Sequence, residues 1–222
     1  MTSSELLPKS EDVRLACAFI PDADKRAGVL ALFALLETLR EIPERITEPM
    51  MGEIRLRWWY EAFEAIGEGR APHYHPLTEL FQQLIPRYDL PVQDFLDMVE
   101  GQMPLLDKGP LPIKVALTVV DRGEEIITGL AARILGQTGD LTKLARLYGL
   151  AQIKAGRGLS DAGDTELAHL TRDARAGIKS LPTELMPLAL PATLAPTLWQ
   201  GRPLGPLTRR IRLLWSFVTG NI

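Results

Sequence analysis

TEPMMGEIRLRWWYEAFEAI, residues 47–66, carries apolar side chains at helical spacing around most of its circumference. Met51, Ile54, Trp58 and Phe63 form the repeat, with Met50, Leu56, Trp59, Ala62 and Ile66 beside them. Thr47 suits an N-cap, Pro49 is tolerated in the first turn, and Glu48 complements the positive end of the helix dipole. A helix greasy on nearly all sides, with two adjacent tryptophans, belongs in the middle of a helical bundle. Arg55 and Arg57 stand two residues apart and leave opposite sides of it. Either each snorkels to solvent or pairs with an acid, or one of them lines a central cavity.

The flanking segments read as helices too. Residues 12–19 make a short one that stops before Pro21. Asp22 caps the next, 23–40, whose inner face holds Val29, Leu32, Phe33, Leu36 and Leu39, until Pro43 interrupts it. Beyond the polar turn GEGRAPHYHP come helices over 77–87, with Leu77, Leu80, Phe81 and Leu84 inward, and over PVQDFLDMVEGQM, with Phe95, Met98 and Val99 inward. A run over 117–135 breaks or restarts near Gly123, and Asp140 caps 141–154. AGRGLSDAGD is a loop. Helical pattern returns over 166–178, and after a proline-broken stretch a basic amphipathic helix covers 206–219. No segment alternates with period two. The expectation is an all-α helical bundle, one domain over residues 1–222.

Composition narrows the function. A chain of 222 residues can bury a substantial core, and a formal net charge of −3 with interleaved signs gives no reason to expect nucleic acid. One cysteine, Cys17, excludes a disulfide framework and fits a reducing compartment; in its apolar context it reads as a small core residue. MTSSELLPKSED lacks the apolar core of a signal peptide, and Val29 to Leu36 is too short to span a bilayer, so a cytoplasmic protein is expected. GxGxxG, Walker, GxSxG and HExxH signatures are absent.

What remains is two acidic stripes at three- and four-residue steps: Glu37, Glu41 and Glu44, and Asp94, Asp97 and Glu100. Two such faces looking at each other across a bundle suit magnesium, which takes oxygen ligands and bridges to phosphates. The plainer reading is solvated faces, with Glu37 paired to Arg40 and Glu41 to Arg45.

Three runs, VRLACAFIPDADKRAGVLALFAL (13–35), TEPMMGEIRLRWWYEAF (47–63) and PVQDFLDMVEGQMPLLD (91–107), resemble the squalene/phytoene synthase family in order and spacing. PLTRRIRLLW (206–215) is similar to its last helix. The likeness is greatest to the family's divergent, synthase-like branch, in which the GEIRLRWW type of segment is typical and which includes a mitochondrial complex I assembly factor. The resemblance implies the isoprenoid synthase type of all-helical bundle, shortened here in its C-terminal half. The family's enzymes are trans-isoprenyl diphosphate synthases that join two isoprenyl diphosphates head to head. They hold magnesium and diphosphate between two DxxxD motifs on facing helices.

Carried over, the first motif falls in LETLREIPE, where only Glu37, Glu41 and Glu44 are acidic and Pro43 disturbs the helix. The second falls in YGLAQIKAGRGLSDAGDTELAHL, which has no aspartate pair on a continuous helix; Asp161 and Asp164 are one residue too close. Ionising an allylic diphosphate takes two or three divalent cations on fixed oxygen ligands. The resemblance with these departures implies a non-catalytic protein that binds a partner protein or an isoprenoid or other lipid, without a cofactor. Arg55, Asp94, Asp97 and Glu100 are then the cavity and diphosphate-binding candidates. The alternative is an active magnesium-dependent transferase with Glu37, Glu41, Asp94 and Asp97 as metal ligands.

The last helix raises a separate question. Arg209, Arg210 and Arg212 flank Leu213, Leu214, Trp215 and Phe217, a mixture suited to peripheral contact with an anionic membrane through 206–219. The plainer expectation is that its apolar face packs on the bundle with the arginines outside.

Overall fold

Caps and prolines divide the chain into helices as the pattern requires, in a computed structural model that describes residues 6–161, 163–202 and 204–220. Ser10 caps α1 (Glu11–Cys17), accepting from the Val13 N–H. Asp22 caps α2 (Ala23–Arg45), accepting from the Lys25 N–H. The next three are α3 (Pro49–Gly67), α4 (Pro76–Arg87) and α5 (Val92–Glu100). A loop follows, then α6 (Ile113–Val120), a π-helical turn over Asp121–Glu125, and α7 (Ile126–Leu135) without interruption. α8 (Thr142–Gly156) and α9 (Asp164–Ile178) lead into short turns that include α10 (Met186–Ala189) and α11 (Ala195–Trp199), and α12 (Pro206–Thr219) ends the fold. The fold is all-α. Among the described residues no strand forms, and Leu111 and Leu159 meet as an isolated parallel bridge.

The core is continuous from α1 to α11, and its centre is α2 and α8. α2 buries Leu32, Leu35 and Leu39 completely. α8 is enclosed by α6, the π turn, α9 and α11. Three phenylalanines lock α3, α4 and α5 together: Phe63 stacks on Phe95 at 4.8 Å between centroids, and Phe81 meets both edge-on at 5.9 and 5.2 Å. Such contacts add about 0.5–1.5 kcal/mol each beyond the area they bury.

Several expectations are corrected. α3 is not the middle of the bundle. It packs Leu56, Trp59, Ala62 and Phe63 inward and leaves Met50, Met51 and Ile54 exposed. Apolar spacing reports how greasy a helix is, not how many of its sides are covered. Gly52 fixes which side faces in, because a Cβ there would lie 2.3 Å from Leu106 and 2.4 Å from Ile46. Its N-cap is Glu48, not Thr47, with no side-chain capping bond. Pro43 does not end α2, which runs two residues further. In the last turn a proline forfeits one hydrogen bond, and here the ring is buried. The break near Gly123 is the π turn, and the proline-broken stretch is a series of short helical turns over 183–199.

Candidate functional site

One face of α2, the 105–109 loop and the C-terminal end of α8 enclose a cleft of about 790 Å³. Spacing of three and four brings Glu37, Arg40, Glu41 and Glu44 to it together, as the sequence implies. Their partners decide what the cleft can do. Glu37 is half-buried and accepts from the backbone N–H groups of Lys9 and Ser10, the latter at 3.1 Å. Burial pushes its carboxyl up from the usual range, and those two donors pull against it. Glu41 pairs with the Lys9 ammonium and, at 2.6 Å, with Arg45. Lys9 therefore lines the cleft, and with Ser10 it partners two of its carboxylates. Glu44 is exposed at the rim.

Arg40 does not pair with Glu37. It turns into the floor and closes a bidentate ion pair with Glu124, with Nη2 at 2.6 Å from Oε2, and donates to Gln152 of α8 at 3.4 Å. The side chains of Arg40 and Glu124 are 18% and 4% exposed. The π turn presents Glu124 here, and Gly149 of α8 makes room for it: a Cβ would lie 2.6 Å from the Glu124 carboxyl carbon. The turn's other acids are taken by Arg146, at 2.6 and 3.0 Å from the Asp121 oxygens and 3.5 Å from Glu125. Sequence reasoning gave Arg40 to Glu37 and missed Glu124 and Arg146. DRGEE inside an apolar helical run was the signal, since π turns gather at functional sites.

The outer wall is held by cations too. Arg157 donates to the carbonyls of Leu105 at 2.6 Å, Gly109 at 3.2 Å and Asp107, so its guanidinium clamps the loop. Burial lowers its pKa from the ordinary arginine value. Lys108 reaches back to the Pro43 carbonyl.

The second acidic stripe lies elsewhere. Asp94, Asp97 and Glu100 on α5 do not line the cleft. Gln93 donates to Asp97 at 2.8 Å, Glu100 faces Arg122 at 3.4 Å, and burial raises the Asp94 carboxyl against the pull of Arg133. Arg55 is exposed on α3, away from the cleft, and Arg57 pairs with Glu61 at 2.9 Å. Of the remaining acids in the second-motif region, Asp161 accepts from the Ile113 N–H at 2.8 Å and Asp164 from the Trp199 indole at 2.7 Å. The Glu37, Glu41, Asp94 and Asp97 quartet is therefore not assembled. Among the described residues no three His, Cys, Asp or Glu side chains come together as a metal-holding group. Of the cleft carboxylates, Glu37 accepts from two backbone N–H groups and Glu41 pairs with Lys9 and Arg45, while Glu44 stands exposed at the rim.

α3 carries a second feature. A groove of about 740 Å³ runs beside Glu53, Ile54, Arg57, Trp58, Glu61 and Met103, continuous along the helix with exposed Met50 and Met51. Among the described residues no helix is long and apolar enough to cross a membrane.

Two comparisons with known proteins bear on this geometry. The squalene/phytoene synthase family model matches residues 7–117, half of the chain. The human NADH dehydrogenase (ubiquinone) complex I assembly factor 6 is 26% identical over 133 residues, 60% of this chain. The chain spans 40% of that relative's length.

Proposed function

The chain belongs to the squalene/phytoene synthase family, and we propose that within it this protein is a non-catalytic member that acts by binding a partner protein. The observation that carries the reading is the Arg40–Glu124 pair. Metal-dependent ionisation of a diphosphate needs unpaired oxygen ligands converging from facing helices. At the cleft floor an arginine instead spends both nitrogens on the carboxylate that faces it. A protein partner is favoured over an isoprenoid because seven of the thirteen residues lining the cleft are charged, whereas the methionine-rich face of α3 is exposed and apolar. Methionine side chains adapt to irregular partners. The assembly-factor relative supports the same reading by analogy.

Quantitative affinity purification tests it, comparing the tagged wild-type chain with Met50→Glu/Ile54→Glu. Both side chains are exposed, so the variant keeps its melting temperature. A protein recovered in stoichiometric amount with the wild type and lost with the variant supports the proposal. Identical recoveries from both would contradict it.

A further inference from the structure

α12 is apolar on both its inner and its outer side. Its inner face holds buried Leu213 and Ser216 and half-buried Phe217, which stacks at 4.2 Å on Phe19, two residues beyond α1. Two of its arginines meet acids of α1, Arg209 half-buried and Arg210 exposed. Arg209 lies 3.2 Å from Asp12, and Arg210 donates to Glu11 at 2.5 Å. The outer face is apolar along its length. Leu207, Ile211, Leu214, Trp215 and Val218 repeat at helical spacing, with Trp215 67% and Val218 73% exposed. Thr208 and Thr219 share that side, and no charged residue interrupts the stripe.

Charge identifies the occupant. Residues 185–222 contain four arginines, Arg202, Arg209, Arg210 and Arg212, and no aspartate or glutamate, in a chain whose formal net charge is −3. Arg210 and Arg212 stand on either side of the stripe. Apolar residues and a tryptophan facing out, with arginines at both borders, are what an interfacial helix presents to anionic lipid. A surface pair such as Arg210–Glu11 is weak and exchangeable, so that guanidinium can trade its carboxylate for a lipid phosphate.

We infer that α12 is a peripheral membrane-docking helix that lays Leu207, Ile211, Leu214, Trp215 and Val218 into the headgroup–acyl boundary of an anionic bilayer. This surface is separate from the α3 patch, so either assignment can fail alone. The bundle then rests on the membrane through its C-terminal helix.

Vesicle co-sedimentation of the full chain tests the inference, using phosphatidylcholine with about 30 mol% phosphatidylglycerol against phosphatidylcholine alone. The wild type is expected in the pellet with the anionic vesicles, at least about tenfold more tightly than with the neutral ones. Ile211→Asp/Trp215→Asp should lose that binding by about tenfold or more while its circular dichroism melt is unchanged, and Arg202→Glu/Arg212→Glu should weaken it. Equal sedimentation with both vesicle types, or of wild type and the Asp double variant, overturns the inference. So does a dimer seen by light scattering that the Asp variant abolishes while the wild type ignores vesicles, since a second copy then covers the stripe.

Discussion

Arg40 and Glu124, 84 residues apart in sequence, meet as a bidentate ion pair at the floor of the cleft, joining α2 to the π turn between α6 and α7. Removing one partner leaves the other buried and uncompensated. Arg40→Met and Glu124→Leu are each expected to cost about 3–5 kcal/mol, whereas Arg40→Met/Glu124→Leu, which removes both charges, should fall near wild type. Urea unfolding of the two singles and the double closes the cycle. Strictly additive losses would show that the pair is not coupled.

Gly149 supports the same pair from α8. Alanine is the better helix former by about 1 kcal/mol, yet its Cβ would press on the Glu124 carboxyl and on Val120, both under 3 Å away. Gly149→Ala should therefore destabilise by about 1–3 kcal/mol, the range for overpacking. A thermal melt above wild type would contradict the packing described.

Glu37 predicts a pH effect. Burial raises its folded-state pKa above the ordinary 4.5, so the folded chain holds that proton more tightly than the unfolded one. Its contribution to stability is full below about pH 4.5 and is lost as pH rises through the raised value. Glu37→Gln cannot ionise; it keeps an acceptor for one of the Lys9 and Ser10 N–H groups and sets its NH2 against the other, a loss that is the same at both pH values. The variant's urea midpoint should gain on wild type between about pH 4 and pH 7. Asp12, also raised by burial, is present in both proteins and drops out of the difference. An identical offset at both pH values would contradict the assignment.

Arg157 anchors the 105–109 loop through backbone carbonyls that only a planar guanidinium fork serves together. Arg157→Lys should cost about 1.5–3 kcal/mol and speed amide hydrogen exchange in that loop, although charge is conserved. Unchanged exchange would show that the clamp is dispensable.

Much of this architecture was legible in the sequence. Asp22, the inward Phe63, Phe81 and Phe95, and the gathering of Glu37, Glu41 and Glu44 on one face follow from capping and from spacing alone. The site's chemistry did not follow, because it depends on long-range partners. Spacing offered Glu37 as the mate of Arg40, and only the tertiary fold supplies Glu124. A π turn adds one residue to a helical repeat, which in sequence looks like a break at Gly123. The same limit hid the exposed side of α3. A greasy stripe reads alike whether a bundle covers it or not, and Arg209 looked like a solvent-facing charge until Asp12 lay beside it.

The central claim is that Glu37 and Glu41 of this cleft are committed to protein partners rather than to metal and diphosphate. Calorimetric titration with farnesyl diphosphate, with and without magnesium, tests it most directly. The account predicts that magnesium adds no binding tighter than roughly 10 μM, about −7 kcal/mol. Magnesium-dependent binding below that concentration, followed by product formation, would contradict it and return the protein to the active transferases of its family.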